Sequence, residues 1–225
     1  MRCSFLVGFC LLSVSATAQR YSYGLKPTQL PQYELSVEKD ASKELIDLER
    51  FIPGIVLDIR YATENNFTQE RIYGLSKAYA RKPVAEALKN AQAEFVKQGI
   101  GIKIFDAYRP YSATVKFYEV YKDTTYVASP YRGSRHNRGC AIDMTLIDLK
   151  TGKELEMPTE FDSFKKEAWP STPVSNPLVK KNRDLIISVM SKYGFKVNSS
   201  EWWHFDFRGW EKFEVLDIDF EDLEK

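Results

Sequence analysis

The chain has two histidines, and each lies close to a carboxylate in a segment rich in apolar residues. His136 precedes Asp143, and His204 follows Glu201. Two imidazoles and one carboxylate are a typical ligand set for a catalytic zinc ion, which leaves a fourth tetrahedral position for water. Asp143 lies in an apolar run, where a carboxylate is costly unless a cation or hydrogen-bond donors meet it. We therefore predict a site for one Zn²⁺ with His136, Asp143 and His204 as ligands.

A simpler interpretation of each segment stays open at this point. A single histidine on an apolar strand is more often a hydrogen-bonded core residue than a metal ligand. Either spacing taken alone also occurs by chance in many chains. The two segments together, in a chain without a third histidine, favour the metal site.

Residues 139–147 must position the first two ligands. They are apolar in a pattern that predicts a strand carrying Asp143, and His136 lies in the loop before it. Gly139 between the two ligands lets the chain bend, because glycine adopts backbone conformations that other residues avoid. This bend would allow both side chains to reach one ion.

Residues 195–207 predict a second strand, which carries Glu201 and His204 and follows a predicted helix starting at Asn176. Positions on a strand that differ by an odd number face opposite sides. Glu201 and His204 differ in this way, so both can reach the metal only if a bulge or a bend separates them, or if Glu201 approaches from the edge of the sheet.

Residues 83–98 predict a helix, with a proline in its first turn, apolar residues in steps of three and four, and Gly99 as its stop. Isoleucines then alternate over residues 100–104 and predict a strand. Arg109 follows this strand, where a rigid element could aim its guanidinium at a reacting carbonyl. The commoner fate of an arginine is an ion pair, for which Asp106 is the nearest partner.

Three further segments receive weaker predictions. Residues 55–61 alternate as a half-buried strand that ends at Tyr61, whose simplest role is packing. Residues 112–122 predict a short amphipathic helix. Asp162 lies in an irregular stretch rich in proline and aromatic residues, 154–175, and the pattern alone indicates a solvated loop residue.

Residues 1–18 predict a secretory signal peptide, with a basic residue, an apolar centre and a small-residue end at Ala18. The apolar run is too short to span a bilayer, so we expect an exported protein without a stable membrane anchor. Removing this segment leaves Cys140 as the last cysteine and equal numbers of acidic and basic side chains. No intrachain disulfide could form, and no basic stripe indicates nucleic-acid binding.

The remaining chain is long enough for one domain with a sizeable core. We predict an N-terminal extension over residues 19–50, in which residues 19–40 form an extended leader without apolar periodicity. We assign residues 51–225 to one α+β domain, with a small, mainly antiparallel sheet that carries the zinc site and is flanked by helices.

The segments S-x-H-x-x-G-x-A-x-D, from Ser134 to Asp143, and E-x-W-H, from Glu201 to His204, resemble those of the zinc D-alanyl-D-alanine dipeptidases. That group belongs to a wider family with the zinc DD-carboxypeptidases and hedgehog-like domains. Further matching segments are Asp58–Thr63, Asn66–Thr68, Asp106–Pro110 and Phe161–Asp162. The resemblance implies a hedgehog/DD-peptidase-like fold and covers most of the chain.

The resemblance also implies roles for individual residues. Glu201 would take a proton from the zinc-activated water and pass it to the leaving amine, while Arg109 would stabilise charge on the carbonyl oxygen. Ser134, Tyr61 and Asp162 match the positions that contact the ammonium group of a free D,D-dipeptide. We expect hydrolysis of D-Ala-D-Ala in peptidoglycan turnover, in the periplasm.

Two alternative functions stay open. A zinc carboxypeptidase or endopeptidase that trims polymeric peptidoglycan would need an open groove, and the dipeptidase-like segments around Tyr61 and Phe161 count against it. A non-catalytic, zinc-stabilised binding module would need neither a general base nor an oxyanion-stabilising arginine. The presence of Glu201 and Arg109 counts against this second alternative.

Overall fold

The computed structural model describes residues 23–225, so the predicted signal peptide, residues 1–18, lies outside the described residues. The strands are β1 (Leu45–Asp47), β2 (Val56–Leu57), β3 (Tyr79–Arg81), β4 (Ile100–Asp106), β5 (Ala141–Asp148), β6 (Phe195–Val197) and β7 (His204–Phe207). The helices are α1 (Leu30–Lys39), α2 (Leu48–Phe51), α3 (Lys82–Val96), α4 (Tyr111–Val120), α5 (Pro177–Lys192) and α6 (Phe220–Leu223).

Five strands form the main sheet, in the order β2-β4-β5-β7-β6, and β1 pairs with β3 in a separate two-stranded sheet. All neighbours are antiparallel except β2 and β4. The predicted α+β fold with a small, mainly antiparallel sheet is confirmed.

The register of the central strand β5 positions the candidate site. Asp143 is the partner of Asp106 on β4 and of His204 on β7. A register shift in β4 between Ile104 and Asp106 interrupts the regular ladder beside this position. Three polar residues therefore meet at one level of a sheet whose central strand is otherwise buried.

The two long helices follow the sequence prediction closely. α3 buries Val84, Leu88 and Phe95 along one face, as its apolar spacing predicts. α5 begins at Pro177, and the side chain of Asn176 accepts hydrogen bonds from two backbone N–H groups of the first turn. These helices pack against each other and cover the core.

Two predicted strands are shorter than expected. The prediction of one strand over residues 195–207 is wrong, because a turn divides the segment into β6 and β7, which pair with each other. The strand predicted over residues 55–61 is confined to Val56–Leu57. Tyr61 lies in a 3₁₀ turn, Arg60–Ala62, where local hydrogen bonds replace the strand ladder.

The prediction of an extended leader over residues 19–40 is wrong where the helix α1 forms. A proline in the first turn begins this helix, and Tyr33 is its buried residue, so the apolar periodicity is too weak to show in the sequence. The Tyr33 hydroxyl accepts a hydrogen bond from the backbone N–H of Leu45. The described part of the predicted extension thus packs on the domain, and the division at residue 50 stays a prediction. No helix within residues 23–225 has the length and apolar character needed to cross a membrane.

Candidate active site

The three predicted metal ligands converge at the end of β5. His136 lies in a 3₁₀ turn before the strand, and the left-handed φ of Gly139, +67°, turns the chain from His136 towards Asp143. The His136 Nε2 atom lies 3.1 Å from His204 Nδ1 and 3.3 Å from Asp143 Oδ2. His204 Nδ1 is 3.0 Å from Asp143 Oδ1, and all three side chains are buried.

The hydrogen bonds around this cluster leave metal-binding lone pairs turned inward. The His136 Nδ1–H group donates to the Ala107 carbonyl at 2.6 Å, which leaves the lone pair on Nε2. Likewise, His204 Nε2–H donates to Asp206 at 2.9 Å and leaves the lone pair on Nδ1. The buried Asp143 Oδ1 has no hydrogen-bond partner among the described residues. Two imidazole lone pairs and one orphaned carboxylate oxygen fit a divalent cation such as zinc.

The electrostatics of Asp143 agree with this donor set. Burial would raise the pKa of Asp143, but without a metal the positive charge of protonated His136 and His204 outweighs burial and holds the pKa below its usual range. A bound cation would supply positive charge at the same place and leave both imidazoles neutral. The carboxylate is therefore charged and available as a ligand.

Glu201 reaches the site through the bend that the sequence required. It lies in the turn immediately before β7, where the His204 N–H group donates to the Glu201 carbonyl at 3.4 Å. The Glu201 carboxylate accepts a hydrogen bond from Asn198 Nδ2 at 3.2 Å and lies 3.6 Å from His204 Nδ1. Burial raises the pKa of Glu201 to about 7, and the nearby Asp143 also acts in that direction. This geometry suits a group that exchanges a proton beside the metal ligands.

Arg109 forms the ion pair that its sequence position allowed and also lines the cavity. Its guanidinium pairs with Asp106 and also lies 3.8 Å from Asp143 Oδ2, facing the cavity. The ring of Phe117 lies 4.7 Å below the guanidinium carbon. The backbone N–H of Arg109 donates to the His136 carbonyl at 3.1 Å, so Arg109 is tied to a ligand residue as well.

The sequence did not predict that Tyr73 supports the site through a hydrogen bond to Asp106. The Tyr73 hydroxyl donates to Asp106 at 3.0 Å, on the oxygen that Arg109 does not use. No local pattern identifies this contact, since Tyr73 and Asp106 lie far apart in the chain. Asp106 itself belongs to Asp106–Pro110, one of the segments that resemble the dipeptidases, so the sequence did indicate that Asp106 belongs to the site.

The predicted substrate-binding residues line the same cavity as the ligands. The Tyr61 hydroxyl lies 3.1 Å from both carboxylate oxygens of Asp162 and donates to them. Ser134 Oγ accepts a hydrogen bond from the His136 N–H at 3.2 Å. Asp162 holds a left-handed φ of +57°, and burial, with Asp143 and Glu201 nearby, raises its pKa well above the usual range. The pattern-based interpretation of Asp162 as a solvated loop residue is therefore wrong.

The cavity over the ligands is small and walled by aromatic rings. Its volume is about 120 Å³. Since about 10–15 Å³ by this measure is enough to hold one water, the cavity has room for several water molecules or a small ligand. Tyr126 from one covering loop stacks on Phe164 from another, with ring centroids 5.0 Å apart. Aromatic side chains of two loops thus form part of the wall of a small cavity.

Comparisons with known proteins agree with this geometry. Residues 41–219 match the family described as D-ala-D-ala dipeptidase, peptidase family M15. The D-alanyl-D-alanine dipeptidase of Escherichia coli (strain K12) is 34% identical over 163 residues, covering 72% of this chain and 84% of that protein. A D-alanyl-D-alanine dipeptidase of Enterococcus faecalis (strain ATCC 700802 / V583) is 29% identical over 178 residues, covering 70% and 88%.

A solved structure of VanYB in complex with D-Alanine-D-Alanine is more distant, with 13% identity and a TM-score of 0.40 over 60% of this chain and 75% of that one. The family match spans most of the chain and contains all three residues of the ligand cluster. The protein is therefore an enzyme, a metallopeptidase that belongs to the M15 family of D-Ala-D-Ala dipeptidases.

Proposed function

We propose that this enzyme uses one zinc ion to hydrolyse the dipeptide D-Ala-D-Ala. One observation carries the proposal: the inward lone pairs of His136 and His204 and the orphaned Asp143 oxygen meet at a small cavity with polar lining residues. The relatives named above are D-alanyl-D-alanine dipeptidases, which supports the same substrate here.

Glu201 is the group that moves the proton in this proposal. When bound, zinc supplies Lewis-acid activation of a water molecule and of the peptide carbonyl. The Glu201 carboxylate, held by Asn198, accepts the proton that the water loses and donates it to the leaving amine. Because Glu201 does not belong to the ligand cluster, its oxygens stay available for this transfer.

Arg109 stabilises the negative charge that grows on the carbonyl oxygen. Its Nε and Nη2 groups donate to Asp106, whereas Nη1 makes no hydrogen bond within residues 23–225. Asp106 therefore holds the guanidinium in place before the substrate arrives, so little reorganisation is needed during the reaction. One such preorganised donor is typically worth about 3 kcal/mol of transition-state stabilisation.

Recognition of the free amino terminus falls to Tyr61, Asp162 and Ser134. An ammonium group bound beside Asp162 would neutralise the carboxylate, which otherwise lies close to two further acidic side chains. The small volume of the cavity over the ligand cluster, together with the dipeptidase relatives, supports a free dipeptide over the alternative of a carboxypeptidase or endopeptidase. The non-catalytic binding module is set aside because the family is one of peptidases.

We place this activity in peptidoglycan turnover, where the enzyme would consume released D-Ala-D-Ala in the periplasm. The support is the predicted signal peptide over residues 1–18 and the absence of a predicted stable anchor. Fractionation of cells followed by amino-terminal sequencing tests this placement. We expect a periplasmic protein that begins at Gln19, and an uncleaved cytoplasmic protein would contradict it.

The activity is tested by measuring amine release from D-Ala-D-Ala, L-Ala-L-Ala and a cross-linked wall fragment by the zinc-loaded enzyme. A Glu201→Ala variant with unchanged zinc content serves as the matched control. We expect release from the D,D-dipeptide alone, reduced by about 10²–10⁴-fold in the variant. Cleavage of the wall fragment alone would instead support the open-groove peptidase.

A further inference from the structure

A second cavity, the basic groove, opens beside the active site. It is formed by Arg132, Arg135, Arg138 and Trp210 and has a volume of about 770 Å³. Ser134 and Arg135 line both this groove and the cavity over the predicted metal ligands, so the two spaces adjoin each other at these residues. The inner cavity has room for a small dipeptide, whereas the groove has room for a larger group attached to it.

The arginines of the basic groove are held ready for an anion. The guanidinium carbons of Arg135 and Arg138 lie 4.8 Å and 5.2 Å from the centre of the Trp210 ring. Stacking on an indole fixes the plane of a guanidinium. Arg138 Nη1 also donates to the Phe213 carbonyl, so Arg135 is the stacked arginine whose edge N–H groups remain for bidentate contacts. The side chain of Arg132 is exposed and makes no hydrogen bond or ion pair within the described part of the chain.

The positive charge of the groove is incompletely neutralised. None of the described residues that line it is acidic. The nearest carboxylate oxygen to Arg135 is Asp206 Oδ2 at 3.8 Å, and Asp206 already accepts a hydrogen bond from His204. Glu211 and Glu214 act on Arg138 from outside the groove, and Glu214 is paired with Lys43 at 3.2 Å. An additional carboxylate would therefore find guanidinium donors without a competing acid in the groove.

Resting on the proposed function, we propose that the basic groove is a specificity subsite for dipeptides whose carboxyl-terminal residue carries a second carboxylate. Of the three residues that would hold the amino end of the substrate, Tyr61 and Asp162 line the inner cavity alone, whereas Ser134 borders both spaces. Tyr61 and Asp162 therefore place the amino end on the inner side. The far end of a bound dipeptide is then the end that an acidic side chain can extend into the groove. Guanidinium groups match a carboxylate in both charge and planar geometry.

The test compares two nearly isosteric substrates, D-Ala-D-Glu and D-Ala-D-Gln, in the zinc-loaded enzyme. We expect kcat/KM to favour D-Ala-D-Glu by about tenfold at low salt, and the preference to shrink at high salt because exposed charges are screened. Arg132→Gln should reduce the preference by about threefold, and Arg132→Glu should abolish it. Lys181→Gln, which removes an exposed charge outside both cavities, should leave the ratio unchanged.

A binding measurement separates failure of this subsite from failure of the proposed function. Calorimetry on Glu201→Ala with zinc bound reports affinities for both dipeptides without turnover. Tighter binding of D-Ala-D-Glu, weakened by Arg132→Glu, supports the groove even if wild-type enzyme does not hydrolyse D-Ala-D-Ala. Equal affinities, or a preference that Arg132→Glu leaves intact, would overturn the subsite while turnover of D-Ala-D-Ala upheld the proposed function.

Discussion

Arg109 donates two hydrogen bonds to a single oxygen of Asp106, at 2.9 Å from Nε and 2.7 Å from Nη2. The other Asp106 oxygen accepts the Tyr73 hydroxyl at 3.0 Å. Asp106 is the last residue of β4 and the register partner of Asp143 on β5. The sheet register therefore sets the distance between the arginine and a metal ligand, and the buried ion pair fixes the direction of the guanidinium.

Asp106→Asn is expected to lower kcat by about 10–100-fold, because Arg109 loses the charge that, in the proposed mechanism, holds its guanidinium beside the substrate carbonyl. The variant should also lose roughly 3 kcal/mol in the free energy of unfolding, since it leaves a buried guanidinium without its main partner. Steady-state kinetics, urea denaturation and zinc analysis measure the three effects, and the zinc content should not change. Tyr73→Phe removes one hydrogen bond and should cost about 1 kcal/mol. A wild-type kcat in Asp106→Asn would show that Arg109 needs no anchor.

Metal removal is expected to destabilise the fold as well as abolish activity. The cluster of His136, Asp143 and His204 joins β5, β7 and the turn before β5, so an ion bound there stabilises the native state alone. With free zinc at about 100 times its dissociation constant, the midpoint of thermal unfolding should rise by about 5–10 °C over the chelated protein. Differential scanning calorimetry with and without a chelator measures this shift. Asp143→Asn should show a much smaller shift, and an equal one would place the metal elsewhere.

Cys140 is expected to resist thiol reagents in the folded protein. It is fully buried, and burial raises the pKa of its thiol to about 12. Because the thiolate is the reactive form, a chain spanning residues 19–225 should show no reaction with a thiol reagent at pH 8 until it is denatured. Rapid modification of the native protein would mean that the segment around Gly139 opens readily.

The raised pKa of the Cys140 thiol also makes the free energy of unfolding depend on pH. Below the ordinary thiol pKa of about 8.5, Cys140 is neutral in both the folded and the unfolded chain and has no effect. Between about 8.5 and 12 the unfolded chain loses the proton while the folded chain keeps it, so this residue lowers stability as pH rises. In Cys140→Ala, the free energy of unfolding measured with urea should therefore fall less steeply as pH rises above about 8.5.

Local sequence patterns predicted that His136, Asp143 and His204 would converge, but they did not predict the contacts that support these residues. His136, Gly139 and Asp143 lie within one short segment, and the odd spacing of Glu201 and His204 required the bend that the structure contains. These inferences succeed because strand periodicity and glycine conformation act over a few residues.

The contacts that the patterns missed join distant parts of the chain. The Tyr73–Asp106 hydrogen bond spans 33 positions, and the Tyr61–Asp162 contact spans 101. The left-handed backbone of Asp162 has no glycine to signal it, so its place in the cavity followed from the family resemblance alone. The basic groove also depends on contacts between distant parts of the chain. Trp210, which follows β7, stacks on Arg135 and Arg138, which precede β5.

Gly139 offers a test of how strictly the backbone positions the ligands. An added Cβ would lie 2.7 Å from Leu45 Cδ2 and 3.2 Å from the backbone nitrogen of Arg81, and the residue has φ +67°. Gly139→Ala combines this crowding with backbone strain, so it should lower the free energy of unfolding by roughly 3 kcal/mol. Because the strain falls between His136 and Asp143, zinc affinity should also fall.

Gly152→Ala separates these two effects. Gly152 has a similar φ, +70°, but an added Cβ would meet nothing within 4 Å, and the residue lies in a turn beyond β5. This variant should lose about 1 kcal/mol from backbone strain, with zinc affinity at the wild-type level. Urea denaturation and competition for zinc with a chelating dye measure both quantities. Equal zinc affinities in the two variants would show that the segment from His136 to Asp143 adapts to the extra atom, and that Gly139 does not set the ligand geometry.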